Sequence, residues 1–95
     1  MPTYSVLADV NEQEIQNAQE LVSIWGDVQQ DIEDLGGELL DSYALAGSYD
    51  FLLTFEVPDE DTVLQASIAI ERYGLDTETM RAVPTERFGE LVMDI

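Results

Sequence analysis

Tyr49 and Asp50 set a phenol beside a carboxylate, directly after Gly47-Ser48. At the mouth of a cleft such a pair can orient a ligand hydroxyl or take a proton. Arg81 is one of three cations, with Arg72 and Arg87. It can grip an anionic ligand, or pair with Asp9 across to a neighbouring strand. Tyr43 can line an aromatic pocket with Trp25. Tyr43, Tyr49, Asp50 and Arg81 are therefore the candidate ligand-binding residues. Each also has a plainer reading, and the plainer one is favoured. Tyr49 packs on a sheet, Asp50 bonds the hairpin backbone, Arg81 is a structural ion-pair partner, and Trp25 and Tyr43 are core aromatics. Asp59-Glu60-Asp61 lacks the loop glycine and later glutamate of an EF-hand, so it reads as a helix N-terminus and no metal site is assigned. Asp50 and Glu56 lie roughly 20 Å apart along one strand face at 3.3 Å per residue, too far for the carboxylate pair of a glycosidase. No residue is assigned a catalytic role.

Composition narrows the chemistry further. Histidine and cysteine are both absent, which removes the commonest general base, the commonest metal ligand and any thiolate nucleophile. No cofactor is called for. The balance of 21 acidic residues against three arginines, with no lysine, gives a net charge of −18. Without a basic patch to neutralise phosphates, nucleic acid is not an expected partner. The carboxylates are spread along the chain, so they repel where the Debye length is about 8 Å and largely cease to where molar salt cuts it to about 3 Å. That pattern resembles proteins of extreme halophiles. The rival reading is an acidic surface made for a basic partner. No apolar run approaches the roughly 20 residues that span a bilayer, and the N-terminus lacks a signal-like apolar core. The expectation is a cytoplasmic protein that does not engage membrane.

The elements that must position these residues follow from periodicity. Tyr4 to Val10 alternates as a strand, with Tyr4, Val6, Ala8 and Val10 on one face. Asn11 offers an N-cap, followed by Glu12 and Glu14. Ile15, Ala18, Val22, Trp25, Val28, Ile32 and Leu35 recur at helical spacing, widened by Leu21 and Ile24, with Gly26 weakening the middle and Gly36-Gly37 ending the helix. Glu38 to Ala46 is the second strand, with Leu39, Tyr43 and Leu45 on one face. Gly47 and Ser48 make a tight turn, which assigns Gly47 to a conformation closed to other residues. Tyr49 to Val57 is the third strand, with Phe51, Leu53, Phe55 and Val57 facing the core. Pro58 ends it and Asp59 caps the next helix, whose stripe is Val63, Ala66, Ile70 and Tyr73. Gly74 stops that helix. Leu75 to Val83 is the fourth strand, Pro84 breaks it, and Glu86 to Ile95 is a short helix anchored by Phe88, Leu91 and Val92.

With 95 residues, the chain reads as one domain spanning 1–95. The order βαββαβ with right-handed crossovers predicts a ferredoxin-like α+β fold: a four-stranded antiparallel sheet with helices on one face. The other face, with Ser5, Leu7, Asp9, Asp50, Leu52, Thr54 and Glu56, is mixed, and suits a homodimer whose sheets stack about 10 Å apart.

Gly36-Gly37-Glu38-Leu39, Tyr43, Gly47-Ser48-Tyr49-Asp50, Pro58-Asp59 and Thr77-Glu78-Thr79-Met80-Arg81-Ala82 together resemble the GYD domain family, over nearly the whole chain. The resemblance implies a small ferredoxin-like protein of the dimeric α/β-barrel type, in a family mostly without an assigned activity. Acidic residues, Glu38 among them, stand where relatives often carry lysine, which speaks against any role needing a basic surface. The expected function is a homo-oligomeric domain, a homodimer or larger, binding a small molecule or a partner protein. The alternative is a cofactor-free enzyme, a small monooxygenase or isomerase, with its site in the cleft of the sheet. A third reading is a ligand sensor without a DNA-reading domain.

Overall fold

A computed structural model describes residues 1–11 and 18–95. The elements run β1 (Thr3–Val10), α1 (Ala18–Asp34), β2 (Glu38–Ala44), β3 (Phe51–Glu56), α2 (Glu60–Glu71), β4 (Leu75–Ala82) and α3 (Thr85–Met93). The strands form one sheet in the order β2-β3-β1-β4, antiparallel throughout. This is the expected ferredoxin-like α+β fold.

The sheet exists because β1 and β3 alternate. Tyr4, Val6 and Ala8 of β1, and Leu53 and Phe55 of β3 with Val57 beyond it, are buried on one face. Val28 and Ile32 of α1 and Ala66 and Ile70 of α2 close over that face to make the core. Phe55 stacks on Tyr4 with ring centroids 6.0 Å apart. The start of the first helix, expected after Asn11 with Glu12, Glu14 and Ile15, lies outside the described residues. From Leu21 on, the buried face of α1 is the expected stripe in all but one member. Trp25, Val28, Ile32 and Leu35 face inward as expected, with Leu21 and Ile24 beside them, whereas Val22 is 78% exposed. Leu21 and Val22 are neighbours of nearly equal hydrophobicity, so only the docked helix chooses between them. The helix passes through Gly26 unbroken.

Two glycines end helices as expected. Gly36 and Gly74 adopt φ of 83° and 85°, the left-handed region that glycine enters without penalty. Gly37 has a different reason to be glycine. A Cβ there would lie 2.5 Å from the Glu56 carbonyl oxygen and 2.8 Å from Cγ1 of Val57, so β2 could not approach β3 as it does. At the start of α2, Asp59 Oδ1 accepts the Thr62 backbone N–H at 2.8 Å and the Thr62 hydroxyl at 2.7 Å. Those bonds hold the Asp59 carboxyl below its ordinary value.

The hairpin differs from expectation. β2 stops at Ala44 and β3 starts at Phe51, so residues 45–50 form a loop rather than a two-residue turn. The Leu45 N–H donates to the Asp50 carbonyl at 2.8 Å and closes its base. A longer loop has no need of the left-handed residues that a two-residue hairpin demands. Accordingly Gly47 is not at positive φ, and a Cβ on it would meet nothing within 4 Å. The register also slips between Leu39 and Asp41, a β-bulge that moves later residues to the opposite face. Leu39 pairs with Phe55 on the helix side, whereas Tyr43 pairs with Leu52 on the other. The two were expected on one face and are separated. The final helix begins at Thr85 and ends at Met93, and its expected anchors are not packed: Phe88, Leu91 and Val92 are all exposed.

Candidate functional site

The face of the sheet away from α1 and α2 is built from pairs of directly opposed residues, which share a face. One row across the strands is Tyr43, Leu52, Leu7 and Glu78. The next is Asp41, Thr54, Ser5 and Met80, and then Glu38, Glu56, Thr3 and Ala82. Beyond the first row Asp9 faces Asp76. The result is an apolar strip of Tyr43, Leu52, Leu7 and Met80 with carboxylates at both ends. Leu7 and Leu52 are half-buried by their neighbours, while Tyr43 and Met80 are 57% and 43% exposed.

The loop 45–50 folds over one end of this face and is tied down by Tyr49 and Asp50. The Asp50 carboxylate accepts the Val10 backbone N–H at 2.9 Å. The Asp50 N–H donates to the Ala8 carbonyl at 3.0 Å and to Asp9 Oδ1 at 3.2 Å. The Tyr49 hydroxyl donates to Glu78 Oε2 at 2.7 Å. Together the two residues latch the loop to β1 and, across it, to β4. The hydrogen bond to Glu78 raises the Tyr49 phenol above its ordinary value; the Glu78 charge, slight burial and the Asp9 charge act in the same sense. At neutral pH Tyr49 is thus a donor engaged with Glu78, not a base. The Asp50 carboxylate does bond backbone, but that of Val10 in β1 and not that of its own hairpin. Tyr49 is half-buried and has a carboxylate partner as well.

Arg81 does not join this cluster. It stands opposite Tyr4, whereas Asp9 stands opposite Asp76. At 3.3 Å per residue that places Arg81 roughly 17 Å further along β4, so the expected pairing with Asp9 does not form. Its guanidinium instead lies 5.9 Å from the centre of the Tyr4 ring, a cation–π contact. Tyr43 and Trp25, with Phe51, Ser42 and Ala44, line a hollow of about 200 Å³ at the β2 edge. Trp25 packs on Phe51 with ring centroids 4.7 Å apart.

A second concavity lies on the other side of the molecule. Asp31 and Asp34 of α1, Ile68 of α2 and Arg72 line a groove of about 290 Å³. Asp31 is engaged there by the Tyr73 hydroxyl at 2.6 Å. That bond, with burial, pushes the Tyr73 phenol up to about 12. Among the described residues, no group of three or more carboxylates is arranged to hold a metal ion.

Sequence reasoning missed Glu78 as the partner of Tyr49, and Asp9 as an acceptor for the Asp50 amide. Both meetings depend on the register of β1 against β4, which the alternation of Thr77, Glu78 and Thr79 reveals only as a choice of face. A family model described as the GYD domain matches residues 4–92, from β1 into the last turn of α3. No curated protein matches the chain.

Proposed function

The chain belongs to the GYD domain family, and from that premise we propose that it is a non-catalytic, single-domain binding protein of the cytoplasm. It works as a homo-oligomer, with the open sheet face turned toward a second copy and a small molecule or partner protein held in the cleft between them. The observation that carries this reading is the apolar strip Leu7, Leu52, Tyr43 and Met80 on a face that neither α1 nor α2 covers. Apolar surface is worth about 25 cal/mol per Å² when removed from water, and two such sheets stack at about 10 Å.

The charge pattern supports the setting. Stacking brings Glu38, Asp41, Glu56, Asp9, Asp76 and Glu78 of two copies toward one another. Their repulsion is screened once the Debye length falls to about 3 Å in molar salt. A net charge of −18 thus fits the cytoplasm of an extreme halophile, and it disfavours nucleic acid and anionic membrane as partners. Among the described residues, no helix is long and apolar enough to cross a membrane. Tyr49 and Asp50 shape the rim of the cleft through the latch, and Tyr43 contributes to its wall. An enzymatic role is the weaker reading, because the phenol and the carboxylate that would act are each engaged by another group of the chain.

Light scattering in molar potassium chloride tests the proposal. The wild-type chain at micromolar concentration is expected at the mass of two or more copies. Leu7→Ser with Leu52→Ser should be folded and monomeric. A monomeric wild type would refute the reading.

A further inference from the structure

We propose that α3 is an arm that docks on a second copy of this chain. Its stripe of Phe88, Leu91 and Val92, continued by Ile95, packs against that copy, and the segment holds its helical form only there. The inference rests on the self-association reading and names a second element that carries it.

The stripe recurs at the spacing of one helix face, yet Phe88 is 61%, Leu91 42%, Val92 47% and Ile95 103% exposed. No residue of α3 is buried. The helix also lacks internal support. It has nine residues, and isolated helices shorter than about 12–15 residues are marginal in water. Gly89 sits inside it and weakens it further. Its N-cap is Pro84, with no capping side-chain bond, and its last turn holds no basic residue to meet the C-terminal dipole. Its one ion pair, Arg87 to Glu90 at 2.8 Å, is exposed and adds little. A helix with so little of its own to hold it draws its stability from what it packs on.

The dimensions of the chain point to a second copy as that surface. Its accessible surface is 6298 Å², whereas a compact monomer of this mass exposes about 5,500 Å². The difference, roughly 800 Å², is similar in size to the share that one partner buries in a standard protein interface. The radius of gyration is 14.4 Å and the longest dimension 49 Å, against a radius of about 12.4 Å for a compact domain of this length. The arm also leaves from the proposed interface. Met80 and Ala82 of β4 lie on the open face, and α3 follows immediately after Val83-Pro84. Two copies stacked by their open faces would each carry their arm past their own sheet edge and onto the other. The polar side of α3, with Glu86, Glu90 and Asp94 against Arg87, disfavours an anionic lipid surface as the occupant.

The test combines mass with hydrogen exchange on the full chain in molar potassium chloride. Wild type is expected to assemble with the α3 amides protected, and that protection should vanish on dilution to monomer while β1 and β3 stay protected. Phe88→Ser with Leu91→Ser should raise the dissociation constant roughly a hundredfold or more and leave the sheet amides protected. A variant that assembles as tightly as wild type would overturn the arm. If Leu7→Ser with Leu52→Ser then still dissociates, the open-face reading survives alone. If the arm variant dissociates and the sheet variant does not, the arm stands and the open face falls. A wild type that stays monomeric overturns both. Protected α3 amides in a dilute monomer overturn the arm directly.

Discussion

α2 and α3 begin alike and end differently. Each follows a proline, Pro58 or Pro84, and each carries acidic residues in its first turn and apolar residues at helical spacing. α2 is capped by Asp59 and buries Thr62, Ala66, Ala69 and Ile70. α3 has no capping side chain and buries nothing. Periodicity therefore reports that a face is apolar, and says nothing of whether the same chain covers it. In α2 the covering surface is β4 and the sheet beneath; in α3 no residue is buried by the described part of the chain.

Paired substitutions sharpen that contrast. Phe55, fully buried, and Phe88, 61% exposed, are the same residue in the two settings. Phe55→Ala should cost about 3–5 kcal/mol in urea unfolding, the range for large-to-small core changes. Phe88→Ala should leave the monomer's stability within about 0.5 kcal/mol and weaken assembly instead. Equal losses in a dilute monomer would mean that α3 belongs to the core. Next in size, Gly37→Ala should cost about 1–3 kcal/mol through overpacking against Glu56 and Val57. Gly47→Ala should stay within about 0.5 kcal/mol, because its Cβ enters open space. The reverse order in thermal melts would restore a tight turn at Gly47.

Smaller effects concern protons. The Asp59 carboxyl is lowered in the folded chain from an ordinary value of 3.8. The stability that its cap contributes is therefore complete above that pH and is lost as pH falls through the lowered value. Asp59→Ala should destabilise at neutral pH and lose its difference from wild type in strong acid; a constant difference would contradict the cap. The Tyr73 phenol, raised to about 12 by Asp31, behaves in the opposite sense. Its contribution is present below about 10 and disappears as pH rises through about 12. Ultraviolet titration of wild type against Tyr73→Phe should show the missing step near 12. Asp50→Asn should change least, since the amide oxygen can still accept the Val10 N–H.

How far the sequence could be read follows from which features side chains announce. Tyr4, Val6 and Ala8 alternate with polar neighbours, Gly36 and Gly74 punctuate the helices, and Asp59 precedes Thr62 at capping distance. These features made the order of elements and the core legible. The bulge between Leu39 and Asp41 is an event of backbone pairing that no side chain marks. That one slip put Ser42, Tyr43 and Ala44 on the faces opposite to those expected. The site was legible only as a pair, Tyr49-Asp50. Glu78 and Asp9, which the pair engages, are far away in sequence and reach it through a register that only the assembled sheet reveals. In α1 the sequence set both Leu21 and Val22 on the stripe, and only the docked helix shows that Leu21 turns inward and Val22 outward.

Self-association is the central claim, and sedimentation equilibrium of the wild-type chain across potassium chloride concentrations tests it most directly. The −18 charge resists assembly at low salt and is screened at molar salt, while the apolar strip and α3 favour assembly throughout. The account predicts an association constant that rises with salt and a mass of at least two copies at micromolar concentration in molar salt. A single-chain mass at every salt concentration would contradict it.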